Sequence, residues 1–453
     1  MATITQKHQL VAVNTSLGED VLVFRRMHAN EQLSRLFEFQ LELLSENNEI
    51  QLEQIIGTNV TVRVELPEGM GTRYFNGFVS RFSHNGTSGR YAVYHATLRP
   101  WFWFLTRTAD CHIFQNMTVP DIIKQIFQDN GFSDFEDKLS GSYRQWEYCV
   151  QYRETDFNFV SRLMEQEGMY YYFTHENGKH TLVLADDYGS HSTFPNYDTI
   201  PYFPPDQHNR RERDHIHEWS ISKQVQPGKY SLNDFDFEKP TKNLRCVLNQ
   251  PKNHALDSFE IYDYPGEYVE SGEGDQYTRM RLEESHAQHE VAQGRGNVRG
   301  VLSGALFTLQ NYHRADQNRE YLVVSVDHEL QSNEYESGYS DTGTNYECSF
   351  TAMDAQIPYR SPRITPKPAI QGPQTAIVVG PAGEEIYTDQ YGRVKCQFHW
   401  DRYGSADENS SCWIRVAQNW AGKKWGAIYI PRIGHEVIVE HEEGDPDRPL
   451  ITG

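Results

Sequence analysis

The chain has 453 residues, a formal net charge of −21, 38% hydrophobic residues and 13% aromatics. That hydrophobic share can pack cores and excludes wholesale disorder, while the length argues for about two to four domains rather than one continuous core. The acidic balance has no basic stripe to offset it, which excludes nucleic acid and anionic membrane surfaces as partners and implies solubility.

The N-terminus, Met1-Ala-Thr-Ile-Thr-Gln-Lys-His8, lacks the apolar core of a signal peptide. The longest apolar runs, such as Trp101–Leu105 and Ala376–Val379, are far short of a membrane span. The expected location is the cytoplasm, unless a route other than a cleaved signal exports the chain. Frequent Phe, Tyr and Trp favour strands, and strands come first. Phe37, Phe39, Leu41 and Leu43 alternate with Glu38, Gln40 and Glu42, and Val60, Val62, Val64 and Leu66 repeat the period. Phe78–Phe82 and Tyr91–Leu98 flank Asn85-Gly86, which predicts a hairpin turn there.

Thr118-Val-Pro-Asp121 reads as a capping box with Pro120 in the first turn. The helix it opens carries Ile122, Ile123, Ile126 and Phe127 on one face and ends at Gly131. Asp156–Glu167 is a second helix, with Phe159, Val160, Leu163 and Met164 on one stripe, closed by Gly168. A strand (Met169–Thr174), the Asn177-Gly178 turn and a strand (His180–Ala185) follow, so helix, strand, turn and strand are expected as one compact unit. A charged helix over about Tyr277–Ala292 is expected to lie on a sheet and to end at Gly294; strands return at Ala305–Leu309 and Tyr321–Leu330.

Five prolines make Gln356–Gln374 a semi-rigid extended linker. Beyond it, Thr375–Gly453 offers five short strands: Thr375–Val379, Val394–His399, Cys412–Val416, Ala427–Ile430 and Glu436–Glu440. That number in so few residues suits a small Greek-key barrel of OB type, too small to be robust without support. The fold class is therefore mainly β with some α.

Side chains that could carry chemistry have plainer readings. His435 and His441 share a strand face, but strand rise puts them roughly 20 Å apart, so they cannot hold one ion. Glu442-Glu-Gly-Asp-Pro-Asp447 lacks EF-hand spacing and reads as a solvated turn with Arg448 as counter-charge. Gly294-Arg-Gly-Asn-Val-Arg-Gly300 follows a helix rather than a strand, so it reads as a helix cap and loop, not a dinucleotide fingerprint. No nucleophile elbow and no Walker loop occurs. The six cysteines form no CxxC pair and read as isolated reduced thiols; Cys396 and Cys412 lie in strand patterns, where burial is the default. Trp101-Phe-Trp-Phe104 and Trp400, Trp413, Trp420 and Trp425 could stack sugars, but such residues more often fill cores and interfaces.

The last fifth of the chain resembles the OB region of the VgrG family. The matching residues are Val379–Asp389, Tyr391-Gly-Arg-Val-Lys395, Gln397-Phe-His-Trp-Asp401, Asn409–Val416, Trp420-Ala-Gly422, Ile430-Pro-Arg-Ile-Gly434 and Glu443–Pro449. Upstream, Gln151–Asp156, Phe159–Met164, His180–Asp186 and Asp263-Tyr-Pro-Gly266 also look like the family. The resemblance implies a phage baseplate hub-like domain over 1–365 with β-barrel subdomains and a helix–strand unit near 118–186, a Pro-rich linker at 356–374, and an OB-fold spike base at 375–453. It implies a homotrimer on the end of a secretion tube, touching baseplate components. The trimer would be cytoplasmic before firing and driven out when a sheath contracts. Family members continue past the barrel into a β-helical needle that takes a PAAR-type tip-sharpening protein and effectors; these 453 residues do not include it. No cofactor, metal or catalytic residue is implied. Arg393, Trp413, Arg415, Trp420, Pro431 and Arg432 are expected at barrel packing or trimer contacts. A glycan-binding OB module and a cell-wall hydrolase carrier are the alternatives.

Overall fold

Glu38–Ser45 is a strand whose Phe39, Leu41 and Leu43 are buried while Gln40 faces solvent, as the alternation dictates. Val60, Val62 and Val64 are buried along Asn59–Glu65, and Thr61 between them is buried as well. The computed structural model describes residues 4–204, 213–333 and 344–453. The chain divides into two compact units. The first comprises Met1–Trp103, Asp134–Gly141 and Gly168–Pro362; the second comprises Phe104–Ser133, Ser142–Glu167 and Arg363–Gly453.

One large sheet organises the first unit. Its strands run in the order Val11–Asn14, Asn59–Glu65, Thr72–Ser88, Tyr91–Arg99, Glu38–Ser45, Val23–Gln32, Glu320–Ser332, Thr344–Asp354, Glu290–Gly296 and Ile216–Lys223. Strands distant in sequence meet at its centre, where Ala29 lies opposite His328. The hairpin turn is not at Asn85-Gly86. Pairing continues to Ser88 opposite Tyr91, so the turn falls at Gly89-Arg90. Gly86, at φ +83°, instead makes a bulge where the register shifts between His84 and Thr87. The left-handed backbone that Gly supplies serves a bulge as well as a turn.

Four polar side chains meet in the interior of this unit. Arg73 Nη2 donates to Glu31 Oε2 at 2.9 Å, and His175 Nε2 and His328 Nε2 lie 3.1 and 3.2 Å from the same carboxylate. The Tyr346 hydroxyl lies 2.8 Å from His328 Nδ1. Burial would raise the Glu31 pKa, but hydrogen bonds from His175 and His328 and the Arg73 charge hold it well below the usual carboxylate range. Burial, with Arg73 beside it, lowers His328 to about 4.

Acidification from pH 7 to pH 5 is therefore expected to cost about 2 kcal/mol of stability through His328, at about 1.4 kcal/mol per unit of pKa difference. The unfolded imidazole binds a proton below its ordinary 6.5, the folded one only near 4, so falling pH favours the unfolded state. Urea unfolding of the wild type and of His328→Gln at both pH values isolates this contribution. An identical pH response in the two proteins would refute it.

The charged helix spans Ser271–Ala287, not Tyr277–Ala292. Gly272 and Gly274 in its first turns obscure its start in the sequence. Its Tyr277, Met280 and Leu282 pack with Tyr230, Leu232 and Cys246 of a three-stranded sheet, Cys246–Asn249, Lys229–Leu232 and Glu260–Asp263. The segment after the helix, Glu290–Gly296, is a strand, so Gly294 is not a helix cap. A Cβ on Gly294 would lie 2.3 Å from the Phe350 ring, one on Gly296 would lie 2.2 Å from the His215 carbonyl oxygen, and one on Gly300 would lie 2.2 Å from the Tyr197 ring. These glycines exist for close approach, and a dinucleotide role has no support in that geometry.

In the second unit, Thr118 caps Val119–Asp129, its Oγ1 accepting from the Asp121 amide at 3.3 Å. The second helix is Asp156–Glu167. The hairpin of Tyr170–Glu176 and Lys179–Ala185 belongs to the first unit, so the expected helix–hairpin unit is divided. Strand Gln145–Thr155 pairs with Ala109–Thr118 and gives Tyr148 and Val150 to the core around the C-terminal strands. Arg162 grips Glu154, with Nε 3.1 Å from each carboxylate oxygen and Nη2 2.8 Å from Oε1; Nη2 also donates to the Val150 carbonyl at 2.9 Å.

Candidate functional site

The C-terminal strands form a sheet in the order Lys395–Phe398, Gln374–Val379, Glu436–His441, Pro449–Ile451, Arg415–Val416. A bridge between Val394 and Ile414 brings its two ends together. Ala376, Val378, Cys396, Phe398, Ile414, Val437, Val439 and Ile451 fill the interior. Pro449–Ile451 takes the place expected for Ala427–Ile430, which is not a strand; Ile428 and Tyr429 there are 78% and 64% exposed. A short apolar run does not reveal which side faces water. Cys396 and Cys412 are buried free thiols, and burial pushes Cys396 up to about 12 and Cys412 up as well, which disfavours the thiolate at both.

The Pro-rich stretch is fastened rather than free. Glu165 accepts from the amides of Ile364 and Thr365 at 3.0 and 2.9 Å and from the Thr365 hydroxyl at 2.9 Å. Lys367 Nζ lies 2.7 Å from both Asp445 and Asp447, and the Ile370 amide donates to the Gly444 carbonyl at 2.8 Å. Asp447 Oδ1 also accepts from the Val150 amide at 2.6 Å. The acidic turn is solvated only in part: Glu443 is exposed, whereas the Asp445 and Asp447 side chains are only 13% and 9% exposed. Burial pushes Asp447 up, while Lys367 outweighs burial at Asp445 and lowers it.

The six singled-out residues fall into two groups. Arg393 is held by Asp389 at 2.6 Å, and Trp413 lies against Tyr387 at 4.9 Å between ring centres, with the Lys395 ammonium 5.2 Å from its ring. Arg415 pairs with Glu442, and Arg432 with Glu385. Pro431 is half-buried, whereas Trp420 is 65% exposed. Trp420 stands on a hairpin, Ala421–Gly422 paired with Trp425–Gly426, whose two-residue tip is Lys423-Lys424. Trp425 meets it edge-on at 5.9 Å, and Gln418 ties the hairpin base to the backbone of Tyr429. Sequence reasoning missed Lys423, Lys424, Ile428 and Tyr429. The available signal was a mixed basic and apolar run without a carboxylate between Asn409 and Gly434.

His435 is exposed, while His441 is half-buried near Phe398 and lowered to about 4 by burial. Among the described residues, no group of three or more His, Cys, Asp and Glu could hold a metal ion. Among them, too, no helix is long and apolar enough to cross a membrane.

Two family models match the chain: the phage tail baseplate hub over residues 30–334, and the type VI secretion system/phage-baseplate injector OB domain over residues 375–453. The two matches together define the class, a baseplate-hub domain followed in the chain by an injector OB domain of the phage-baseplate and type VI secretion kind. Two curated relatives narrow it. The type VI secretion system spike proteins VgrG1b and VgrG1a of Pseudomonas aeruginosa are each 54% identical over 99% of this chain, which covers 60% and 69% of their lengths. The chain belongs to the VgrG family. It spans about three fifths to two thirds of the length of these relatives. The solved structure of the E. coli c3393 protein, described as a type VI secretion component similar to T4 tail proteins gp27 and gp5, has the same fold. It matches at TM-score 0.68 and 20% identity, over 97% of this chain and 99% of that one.

Proposed function

We propose that the chain is the base of a trimeric type VI secretion spike, with a hub-like domain over 1–365, a strap at 356–374 and an OB spike base at 375–453. It caps the secretion tube, contacts the baseplate, and leaves the cytoplasm when the sheath contracts, carrying a PAAR-type tip protein and effectors through segments beyond the barrel. Its role is force transmission, with no catalytic residue of its own. Family membership supports this reading. The observation that carries it is the uncovered hairpin surface of Trp420, Trp425, Ile428 and Tyr429, since clustered exposed apolar groups mark contact sites.

Light scattering at several concentrations tests the assembly. The expected mass is three times the 52.6 kDa of the chain. A single-chain mass at every concentration would defeat the spike-base reading for these residues. The tryptophan pair would then favour sugar stacking, read by fluorescence quenching with cell-wall fragments.

A further inference from the structure

The outer face of the barrel sheet is unusual for a solvent face. Glu436, Ile438 and Glu440 point outward from Glu436–His441, while Val437 and Val439 point in. Ile377 lies opposite Glu436 on one neighbouring strand, and Leu450 lies opposite Glu440 on the other. Three aliphatic side chains, Ile377, Ile438 and Leu450, thus cross the face diagonally between two glutamates. Ile438 is 44% exposed. Neither Glu436 nor Glu440 has a cation partner among the described residues.

The hairpin is the inverse surface. Residues 409–434 hold four cations, Arg415, Lys423, Lys424 and Arg432, and no carboxylate; residues 435–447 hold six carboxylates and no lysine or arginine. Lys423 and Lys424 sit at the hairpin tip, with no carboxylate partner among the described residues. Trp420, Trp425 and Ile428 flank them, exposed. Gly422 lies under the Trp425 ring, where a Cβ would come within 2.2 Å, and a Cβ on Gly426 would strike the Trp420 carbonyl oxygen at the same distance. The hairpin is therefore tightly closed, and a rigid element loses little entropy on docking.

We propose that the Lys423-Lys424 hairpin of one copy seats on the Ile377–Ile438–Leu450 face of the next, its lysines against Glu436 and Glu440. This rests on the trimer reading and deepens it by naming the contact. The two surfaces differ, so the contact is head-to-tail, and head-to-tail contacts close into rings when the rotation permits. Like surfaces cannot pair isologously here, because lysine would meet lysine. Apolar contact supplies the attraction, and the charges fix the register and reject mispairing.

Charge reversal tests it on the full chain. Lys423→Glu with Lys424→Glu, and separately Glu436→Lys with Glu440→Lys, are expected to raise the concentration at which trimers dissociate by at least about tenfold. All four substitutions in one chain should restore wild-type dissociation. Unchanged circular dichroism melting of the dissociated chains would exclude misfolding as the cause, and the four-fold swap guards against it independently. If the wild type is three chains and both reversed forms dissociate no more readily, this contact is overturned while the trimer stands. A swap that fails to restore assembly also overturns it. A wild-type monomer overturns both.

Discussion

Arg73→Met is expected to lower the unfolding free energy of the first unit by about 3–5 kcal/mol, the cost of stranding a buried charge when its partner is removed. The Arg73 and Glu31 side chains are each 3% exposed, so water cannot take over the lost contact. The guanidinium serves three separate pieces of chain. It donates to Glu31, lies 3.2 Å from His328 Nε2, and donates to the carbonyls of Arg299, at 2.7 Å, and Val301. It also covers the Phe75 ring at 4.3 Å. Methionine keeps the length and apolar contact but leaves the Glu31 carboxylate without its cation and two carbonyls without their donor. Denaturant unfolding followed by intrinsic fluorescence reads the loss. Adding Glu31→Leu should recover part of it, because removing both charges avoids the stranded one. A loss below about 1 kcal/mol for Arg73→Met would show that the site is wet or relaxes, and would sink this account.

Nothing in the sequence announces that cluster. Glu31, Arg73, His175 and His328 are scattered over most of the chain, and each alone reads as a surface residue. What brings them together is sheet topology, in particular Val23–Gln32 pairing with Glu320–Ser332, which is a long-range choice and leaves no local period. Local chemistry was legible where it was local. The Thr118 cap, the apolar faces of Val119–Asp129 and Asp156–Glu167, and the alternation in Glu38–Ser45 each follow from spacing alone. The OB barrel was legible from its rhythm of short strands and from family resemblance. Its fifth strand was misplaced because Ala427–Ile430 and Pro449–Ile451 are both short apolar runs, and only the pairing of Glu440 with Leu450 decides between them. The hairpin surface escaped notice for a related reason. Tryptophans read as core or interface, and only the fold shows which of them stand in solvent.

The second large effect is expected at Lys367. Replacing it with methionine should lower the stability of the second unit by about 3 kcal/mol. That figure is at the low end for a stranded charge, because the lysine side chain is 24% exposed and solvent screens part of the pair. The lysine stands between two carboxylates that are largely buried, and one of them also receives the Val150 amide. Without the cation, Asp445 and Asp447 repel each other and favour taking up a proton. The pH response carries the signature. In the wild type Asp445 is lowered, so its contribution is present above its ordinary 3.8 and lost as pH falls through the folded value. In Lys367→Met burial and repulsion push both acids up, so the variant's deficit should shrink between pH 7 and pH 4.5. Calorimetry of wild type, Lys367→Met and Lys367→Arg across that range distinguishes the causes. Arginine keeps the charge and should hold most of the stability at pH 7. A deficit independent of pH would mean that the lysine stem, packed along the strap, matters more than its charge. Glu165 and the Ile370–Gly444 hydrogen bond would still hold the strap.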